Sequence, residues 1–193
     1  MPRLTPASAA KRRLHIIEAA MRCFRAHGFT AASVDDICGE AAISKGAFYS
    51  HFRSKEDLVH AIADTLAGEP EPIDSSSIPA LTASILDRRS APVARGAGRA
   101  FAFEMIAASL SDSVLHQRLL AHLDTTRRDL EKAIAHLVAA GLARPDCDPA
   151  ETAWILQSYL LGAFTDAAIR AVDRGDAVDA GVERLVAALV APR

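Results

Sequence analysis

The stretch that decides the fold is SVDDICGEAAISKGAFYSHFRSKEDL, residues 33–58. Three of its four serines, Ser33, Ser44 and Ser54, are each followed by a short run of apolar residues at helical spacing. Asp36 and Asp57 lie three residues after the first and last of these serines, the spacing of a capping box. The stretch therefore predicts three short, consecutive helices, each capped by a serine, and the intervals are too short for βαβ units.

The first two of these helices are joined by the short turn Ala41-Ala42-Ile43, which is typical of a helix-turn-helix. In that motif the second helix enters the major groove with its first residues on the base edges. Lys45 can reach a base or a phosphate there, and Gly46 allows close approach of the backbone. Tyr49, one turn further on, and Lys55, at the start of the next helix, are expected to contact phosphates.

The flanking sequence predicts only helices, so the fold class is all-α. Pro6 opens a helix that ends at Gly28, and the region 68–80, rich in Pro and Ser, is expected to be a loop. Helical periodicity then returns in five segments: residues 81–91, 95–110, 114–140 before Gly141, 148–172 opened by Asp148-Pro149, and 175–189. We expect a helix-turn-helix domain over residues 1–55, with residues 1–8 a flexible tail, and a helical effector-binding and dimerisation domain over residues 56–193.

Charge and composition narrow the function. Residues 1–60 carry nine Lys and Arg against six Asp and Glu, whereas the rest of the chain is acidic. No apolar run is long enough for a membrane span, no signal-peptide core opens the chain, and the three cysteines show no CxxC pair. We therefore expect a cytoplasmic protein. The residue pairs Cys23/His27 and His116/His122 do not make a closed ligand set, and no catalytic motif is found, so we expect no metal, no cofactor and no enzyme activity.

The residues Gly28-Phe29-Thr30, Ser33-Val34-Asp35-Asp36-Ile37 and Ile43 to Leu58 resemble the N-terminal domain of TetR-family transcriptional regulators. The run from Ser44 to Leu58 is the most specific part. The resemblance implies that eight residues contact DNA: Ser33, Ser44, Lys45, Gly46, Ala47, Tyr49, His51 and Lys55. Where the family commonly has glycine in the turn, this chain has Ala42, and a positive φ there would cost alanine about 1 kcal/mol.

Simpler roles are open for several of these residues. Ser44 and Ser54 could act only as helix caps. His51 could pack instead of contacting a phosphate, Phe48 and Phe52 are expected in the core, and the cluster Lys11-Arg12-Arg13 could be no more than a solvated face.

The resemblance also implies a homodimer built from the last two helices. The candidate interface consists of a face of small and β-branched residues on the penultimate helix and a Val/Leu stripe on the last: Ile155, Ser158, Gly162, Thr165, Ile169, Val182, Leu185 and Leu189. Both stripes could instead face the core of their own chain.

Polar or aromatic residues on otherwise apolar faces of the body are candidates for an effector pocket. They are Phe101, Glu104, His122, Thr126, Trp154, Gln157 and Phe164. Glu104 could instead pair with an arginine, and Trp154 could be plain core. The surrounding Ala, Phe and Leu residues suggest an apolar or amphipathic effector.

The leading hypothesis is a ligand-responsive repressor that leaves a palindromic operator when its effector binds. The alternative is an enzyme or effector-binding protein whose head docks on another protein instead of DNA. A thiol-based sensor at Cys23 or Cys38 is a further reading, although both lie on apolar faces, where cysteine is usually inert.

Overall fold

A computed structural model of the chain describes residues 6–67, 72–89, 99–170, 172 and 174–192. Within these ranges all regular structure is helical, which confirms the predicted fold class. The helices in chain order are α1 Pro6–His27, α2 Val34–Glu40, α3 Lys45–Tyr49, α4 Lys55–Ala67, α5 Ile78–Arg89, α6 Arg99–Ser109, α7 Ser113–Ala139, α8 Pro149–Arg170 and α9 Gly175–Leu189.

The predicted helix ends have clear local causes. Gly28 and Gly141 follow α1 and α7 with φ of 81° and 70°, the left-handed conformation that ends a helix and suits glycine. The Asp148 carboxylate accepts hydrogen bonds from the N–H groups of Ala150 and Glu151 at 2.9 and 3.0 Å, so it caps α8 as predicted. The apolar pattern predicts that the helix begun by Ser44 extends to Phe52. Helix α3 instead ends at Tyr49, so Phe52 lies beyond it.

The chain divides into two compact units. The first comprises Met1–Gly68 with Pro92–Leu119, and the second comprises Glu69–Ala91 with Leu120–Arg193. The predicted domain boundary after residue 55 falls inside the first unit and stays a prediction. Helix α7 belongs to both units, since its first seven residues lie in the first one.

The first unit has its own apolar core. The long helix α1 contributes Ile16, Ile17, Ala20 and Phe24, and α4 contributes Leu58 and Ile62. Phe48 and Phe52, at 0 % and 1 % exposed, complete the centre, as the sequence predicts. Met105 of α6 and Leu115 of α7 are buried in the same cluster. Burial of this many large side chains makes the helix-turn-helix a rigid platform.

The second unit packs α5, α7, α8 and α9 around a separate core. Its fully buried members include Leu81, Ile134, Leu137, Leu156 and Val182. No helix in the described ranges combines the length and the hydropathy that a bilayer crossing requires.

Candidate nucleic-acid interface

Serine caps begin the two helices of the helix-turn-helix. The hydroxyl of Ser33 accepts the N–H of Asp36 at 3.2 Å, and the Asp36 carboxylate accepts the N–H of Ser33 at 2.8 Å, a complete capping box. The hydroxyl of Ser44 accepts the N–H of Ala47 at 3.2 Å. Bonding to Ser33 holds the pKa of the Asp36 carboxyl below its usual range. The capping roles of Ser33 and Ser44 are thus observed, whereas their DNA contacts stay predictions.

Ser54 also caps its helix, with its hydroxyl accepting the N–H of Asp57 at 3.2 Å. The capping box predicted there is incomplete, because the Asp57 carboxylate accepts the N–H of Arg53 at 2.9 Å, one residue before the cap.

Helix α3 is anchored on one side and open on the other. Phe48 is fully buried, and its ring meets the Tyr49 ring edge-on with centroids 5.3 Å apart. Tyr49 is nevertheless 54 % exposed, Lys45 and Gly46 are exposed, and Ala47 is half-buried. The predicted base-reading and phosphate-binding side chains therefore share an accessible surface on a fixed helix.

Helix α1 holds this motif in place through polar contacts. His15 Nε2 lies 3.0 Å from the carbonyl oxygen of Ala41, in the turn, and Arg22 forms a 2.6 Å ion pair with Glu40 at the end of α2. Arg13 donates to the carbonyl of His51 at 3.0 Å and lies over the Phe52 ring at 4.2 Å. Arg13 is therefore more than a solvated charge.

The turn between α2 and α3 is strained at Ala42, whose φ is 51°. Among the residues described, it is the one residue other than glycine with positive φ. The left-handed backbone conformation, which favours glycine, is thus adopted here by alanine.

Lys45 carries an intramolecular partner that sequence reasoning missed. Its ammonium lies 2.8 Å from the Asp35 carboxylate of α2, and both side chains are mostly exposed. Bonding to Asp35 raises the pKa of Lys45, which therefore stays charged at neutral pH. Exposure lets DNA reach this lysine, but the contact with Asp35 must then be exchanged for one with the nucleic acid.

Lys55 makes contacts different from the predicted one. Its ammonium donates to the carbonyl oxygens of Phe29 at 2.7 Å, Ala32 at 2.8 Å and Thr30 at 3.4 Å, and lies 4.5 Å from the centre of the Phe29 ring. An ammonium has three N–H donors, and all three are directed to this loop. A phosphate could bind Lys55 only by replacing one of these bonds, so Lys55 holds the loop in this structure and its phosphate contact stays a prediction.

The remaining head residues named from the sequence are placed as follows. The side chain of His51 is half-buried, and its predicted phosphate contact is untested. Lys11 and Arg12 are exposed on α1. Cys23 and Cys38 are buried free thiols, and burial raises the pKa of both, which opposes formation of a reactive thiolate. No cluster of three or more His, Cys, Asp or Glu able to hold a metal occurs in the described part of the chain.

The predicted effector residues have different surroundings in the structure, and the pocket itself stays a prediction. Glu104 bonds backbone N–H groups of Phe29 and Thr30 in the head, so it is removed from the pocket. Trp154 is 58 % exposed, neither core nor enclosed cavity. The side chain of Phe101 lies outside the described residues.

The other four pocket candidates are half-buried in the second unit: His122, Thr126, Gln157 and Phe164. The Gln157 amide donates to the carbonyl of Leu123 at 2.7 Å, which joins α8 to α7. None of these four residues lines the open groove of about 360 Å³ between α5 and α9, whose walls include Ile78, Leu86 and Val186.

The two predicted interface stripes differ in exposure. On α8, Ser158, Gly162 and Ile169 are exposed and Ile155 and Thr165 are half-buried. On α9, Val182 is fully buried in the core of its own chain, and Leu185 and Leu189 pack against that core. We remove Val182 from the interface because no surface of it is left for a partner, whereas Leu185 and Leu189 are only partly buried and their place in the interface stays a prediction.

Comparison with known proteins finds a family match for the helix-turn-helix region. Residues 16–62 match the family model described as "Bacterial regulatory proteins, tetR family". SrpR of Pseudomonas putida, an HTH-type transcriptional regulator, is 28 % identical over 73 % of this chain and 68 % of its own length. TtgR, an HTH-type transcriptional regulator of the same species, is 41 % identical, but that match spans 34 % of this chain and 31 % of TtgR.

Two solved structures share the fold along nearly the whole chain. A TetR transcription regulator from Haloarcula marismortui has a TM-score of 0.77 at 19 % identity, covering 94 % of this chain and 99 % of its own. SmeT in complex with triclosan has a TM-score of 0.72 at 20 % identity, covering 94 % and 92 %. The helix-turn-helix at residues 33–49 and the family match around it agree that residues 16–62 form a helix-turn-helix domain of the TetR type, and the chain as a whole shares the fold of these two solved structures.

Proposed function

We propose that the chain is a sequence-specific DNA-binding repressor whose helix α3 reads an operator in the major groove. The observation that carries this proposal is the exposed surface of Lys45, Gly46 and Tyr49 on a helix anchored by the buried Phe48. Lysine and backbone groups at the start of such a helix can meet base edges, and the tyrosine hydroxyl can donate to a phosphate. The further proposed contacts are His51, Ser33, Ser44 and Ala47.

Selection of random double-stranded DNA by the full chain tests this function. We expect one enriched palindromic sequence, and we expect Lys45→Ala to weaken or change that preference. Lys132→Ala, which removes an exposed lysine from α7, is the matched control and should select the same sequence as the wild type. No enriched sequence at low salt would favour the alternative, in which the head docks on a protein.

The proposal includes a homodimer assembled through α8. Its exposed face carries Trp154, Leu161 and Ile169, which are 58 %, 43 % and 77 % exposed and lie at helical spacing. A contiguous exposed apolar face favours burial against another surface, and a second copy would also supply the two-fold symmetry of a palindromic operator. Sedimentation of the full chain is the direct test, and a monomer at micromolar concentration would contradict it.

We place the effector site near the half-buried polar groups of α7 and α8, with an apolar or amphipathic ligand as the expected class. The amide of Gln157, the hydroxyl of Thr126 and the imidazole of His122 are half-buried in that unit, which also contains a large apolar core. SmeT, the repressor of the Stenotrophomonas maltophilia multidrug efflux pump SmeDEF, has been solved with triclosan, an apolar phenol, which supports this ligand class.

Calorimetric titration with a panel of apolar and amphipathic compounds, triclosan included, tests the effector site. We expect binding that Thr126→Val or Gln157→Leu weakens and that releases the selected operator. A reporter gene under the selected operator then distinguishes a repressor, whose deletion raises expression, from an activator, whose deletion lowers it.

A further inference from the structure

The segment Gly28–Ala32, which we call the entry loop, leads from α1 into the cap of α2. Two side chains of opposite charge form hydrogen bonds with its backbone groups. The N–H groups of Phe29 and Thr30 donate to the Glu104 carboxylate, the latter at 3.2 Å. The carbonyls of Phe29, Thr30 and Ala32 accept from the Lys55 ammonium. An anion thus holds the donors of the loop and a cation holds its acceptors.

The glutamate comes from outside the helix-turn-helix, more than seventy residues along the chain on α6. Its neighbour Met105 is buried in the core of the first unit, which fixes this part of α6 against the head. A Cβ added at Gly28 would lie 2.8 Å from a Glu104 carboxylate oxygen, so the two elements meet closely. Hydrogen bonds to a charged acceptor are about twice as strong as neutral ones.

The entry loop is well placed to set the direction of α2. Ala32 is joined directly to Ser33, whose capping box begins that helix. Asp35 of α2 in turn holds Lys45 of α3 at 2.8 Å. A shift of the loop therefore moves the start of α2 and, through the short turn, the helix that is proposed to read bases.

We propose that Glu104 is a positioning residue for DNA binding: its carboxylate fixes the entry loop and thereby the orientation in which α2 and α3 meet the operator. The proposal rests on the proposed DNA-binding function. Glu104 itself does not contact DNA in this proposal. It is also not one of the residues that make up the apolar core of the head.

Operator affinity in Glu104→Ala and Glu104→Gln tests the proposal in the full chain. We expect Glu104→Ala to lower affinity for the selected operator roughly 2- to 30-fold, the range for mutations that alter coupling between sites. Affinity for random-sequence DNA should change little, because phosphate contacts are less sensitive to helix orientation. Glu104→Gln keeps an acceptor oxygen and should retain more of the operator affinity. Glu18→Ala, which removes an exposed glutamate from α1, is the matched control.

Two results would overturn the proposal. One is unchanged operator affinity in Glu104→Ala. The other is an equal gain in affinity for operator and random DNA in both variants, since that would show only the loss of a negative charge near DNA.

Amide hydrogen exchange at Phe29 and Thr30 separates this proposal from the DNA-binding function. Exchange at both amides should accelerate in Glu104→Ala and, to a lesser degree, in Glu104→Gln, whatever DNA the chain selects. If Glu104→Ala fails to fold, the exchange and operator affinity of Glu104→Gln decide the question. Unchanged exchange would overturn the proposed loop contact, whereas a wild type that enriches no sequence would overturn the DNA-binding function alone.

Discussion

At the scale of single residues, Ala42 is the clearest local conflict between sequence and fold. Its φ of 51° is unfavourable for a side chain with a Cβ, and the residue is exposed, so little packing depends on its methyl group. We expect Ala42→Gly to raise the free energy of unfolding by up to about 1 kcal/mol. Thermal and urea unfolding measure this change. Ala31→Gly, in an exposed turn at negative φ, is the control and should be destabilising. A loss of stability in Ala42→Gly would contradict the inference that Ala42 is strained.

The ion pair between Asp35 and Lys45 makes Asp35 a competitor for the DNA. Because both side chains are exposed, solvent screens the pair, and we expect its effect on DNA affinity to be no more than about fivefold. We expect Asp35→Asn to tighten DNA binding by up to that factor, since Lys45 is then free and a negative charge near phosphate is removed. In a Lys45→Ala background the gain should shrink. Fluorescence anisotropy at several salt concentrations measures DNA affinity in the single and the double variant. If the gain is as large without Lys45, Asp35 does not act through the lysine.

The carbonyl contacts of Lys55 predict a different phenotype from a phosphate contact. Lys55→Ala should lower the free energy of unfolding by about 1–3 kcal/mol, because charge-assisted bonds to the entry loop are lost. Operator affinity should fall with it, but the slope of log K against log salt should stay unchanged. A salt slope smaller by about one unit in Lys55→Ala would instead indicate that Lys55 contacts a phosphate, as predicted from the sequence.

At the scale of helices, local pattern predicted most of the first unit. Serine caps, glycine stops and apolar spacing are short-range signals, and the caps placed the starts of α2, α3 and α4 at the residues that follow Ser33, Ser44 and Ser54. Pairings between distant residues were not predictable in this way. Glu104 looked like a pocket residue because its own helix is apolar, whereas its partner Phe29 lies 75 residues away. Likewise, the stripe of α9 fitted an interface as well as a core, and only packing shows that Val182 is buried.

Helix α8 allows a sharp test of assembly at Gly162. A Cβ added at this position would have open space around it, so we expect the isolated chain to accept leucine there. In a dimer packed through α8, the added bulk should cost about 1–3 kcal/mol by overpacking. Sedimentation should therefore show a weakened Gly162→Leu dimer with an unchanged unfolding midpoint for the monomer.

Gly39→Leu is the matched control for this test, since Gly39 also lies in a helix with open space around it. It should leave the dimer intact. A Gly162→Leu protein as dimeric as the wild type would move the interface away from this face of α8.

At the scale of the whole molecule, the two units have to be linked if a ligand is to control DNA binding. Helix α4 leaves the DNA-binding head and is fastened within the first unit at two points. His60 lies 2.6 Å from Asp112, and Asp64 pairs with Arg118 of α7. Bonds from the N–H of Leu115 and from His60 hold the pKa of Asp112 below its usual range, so this contact persists down to acidic pH. The same helix α7 continues into the second unit, where it carries His122 and Thr126.

This continuity predicts a reciprocal switch. An effector that binds near His122 and Thr126 and shifts α7 would move α4 and change the spacing of the two recognition helices, which must lie about 34–36 Å apart to enter successive major grooves. A ligand shifts such an equilibrium only by its differential affinity for the two states. With a typical coupling of about 1–3 kcal/mol, the effector should weaken operator binding by about 5–150-fold, and the operator must weaken effector binding by the same factor. Calorimetric titration of the effector with and without operator DNA measures both sides of this linkage. Equal effector affinity in the two titrations would contradict the switch, because a ligand that does not distinguish the two states cannot release DNA.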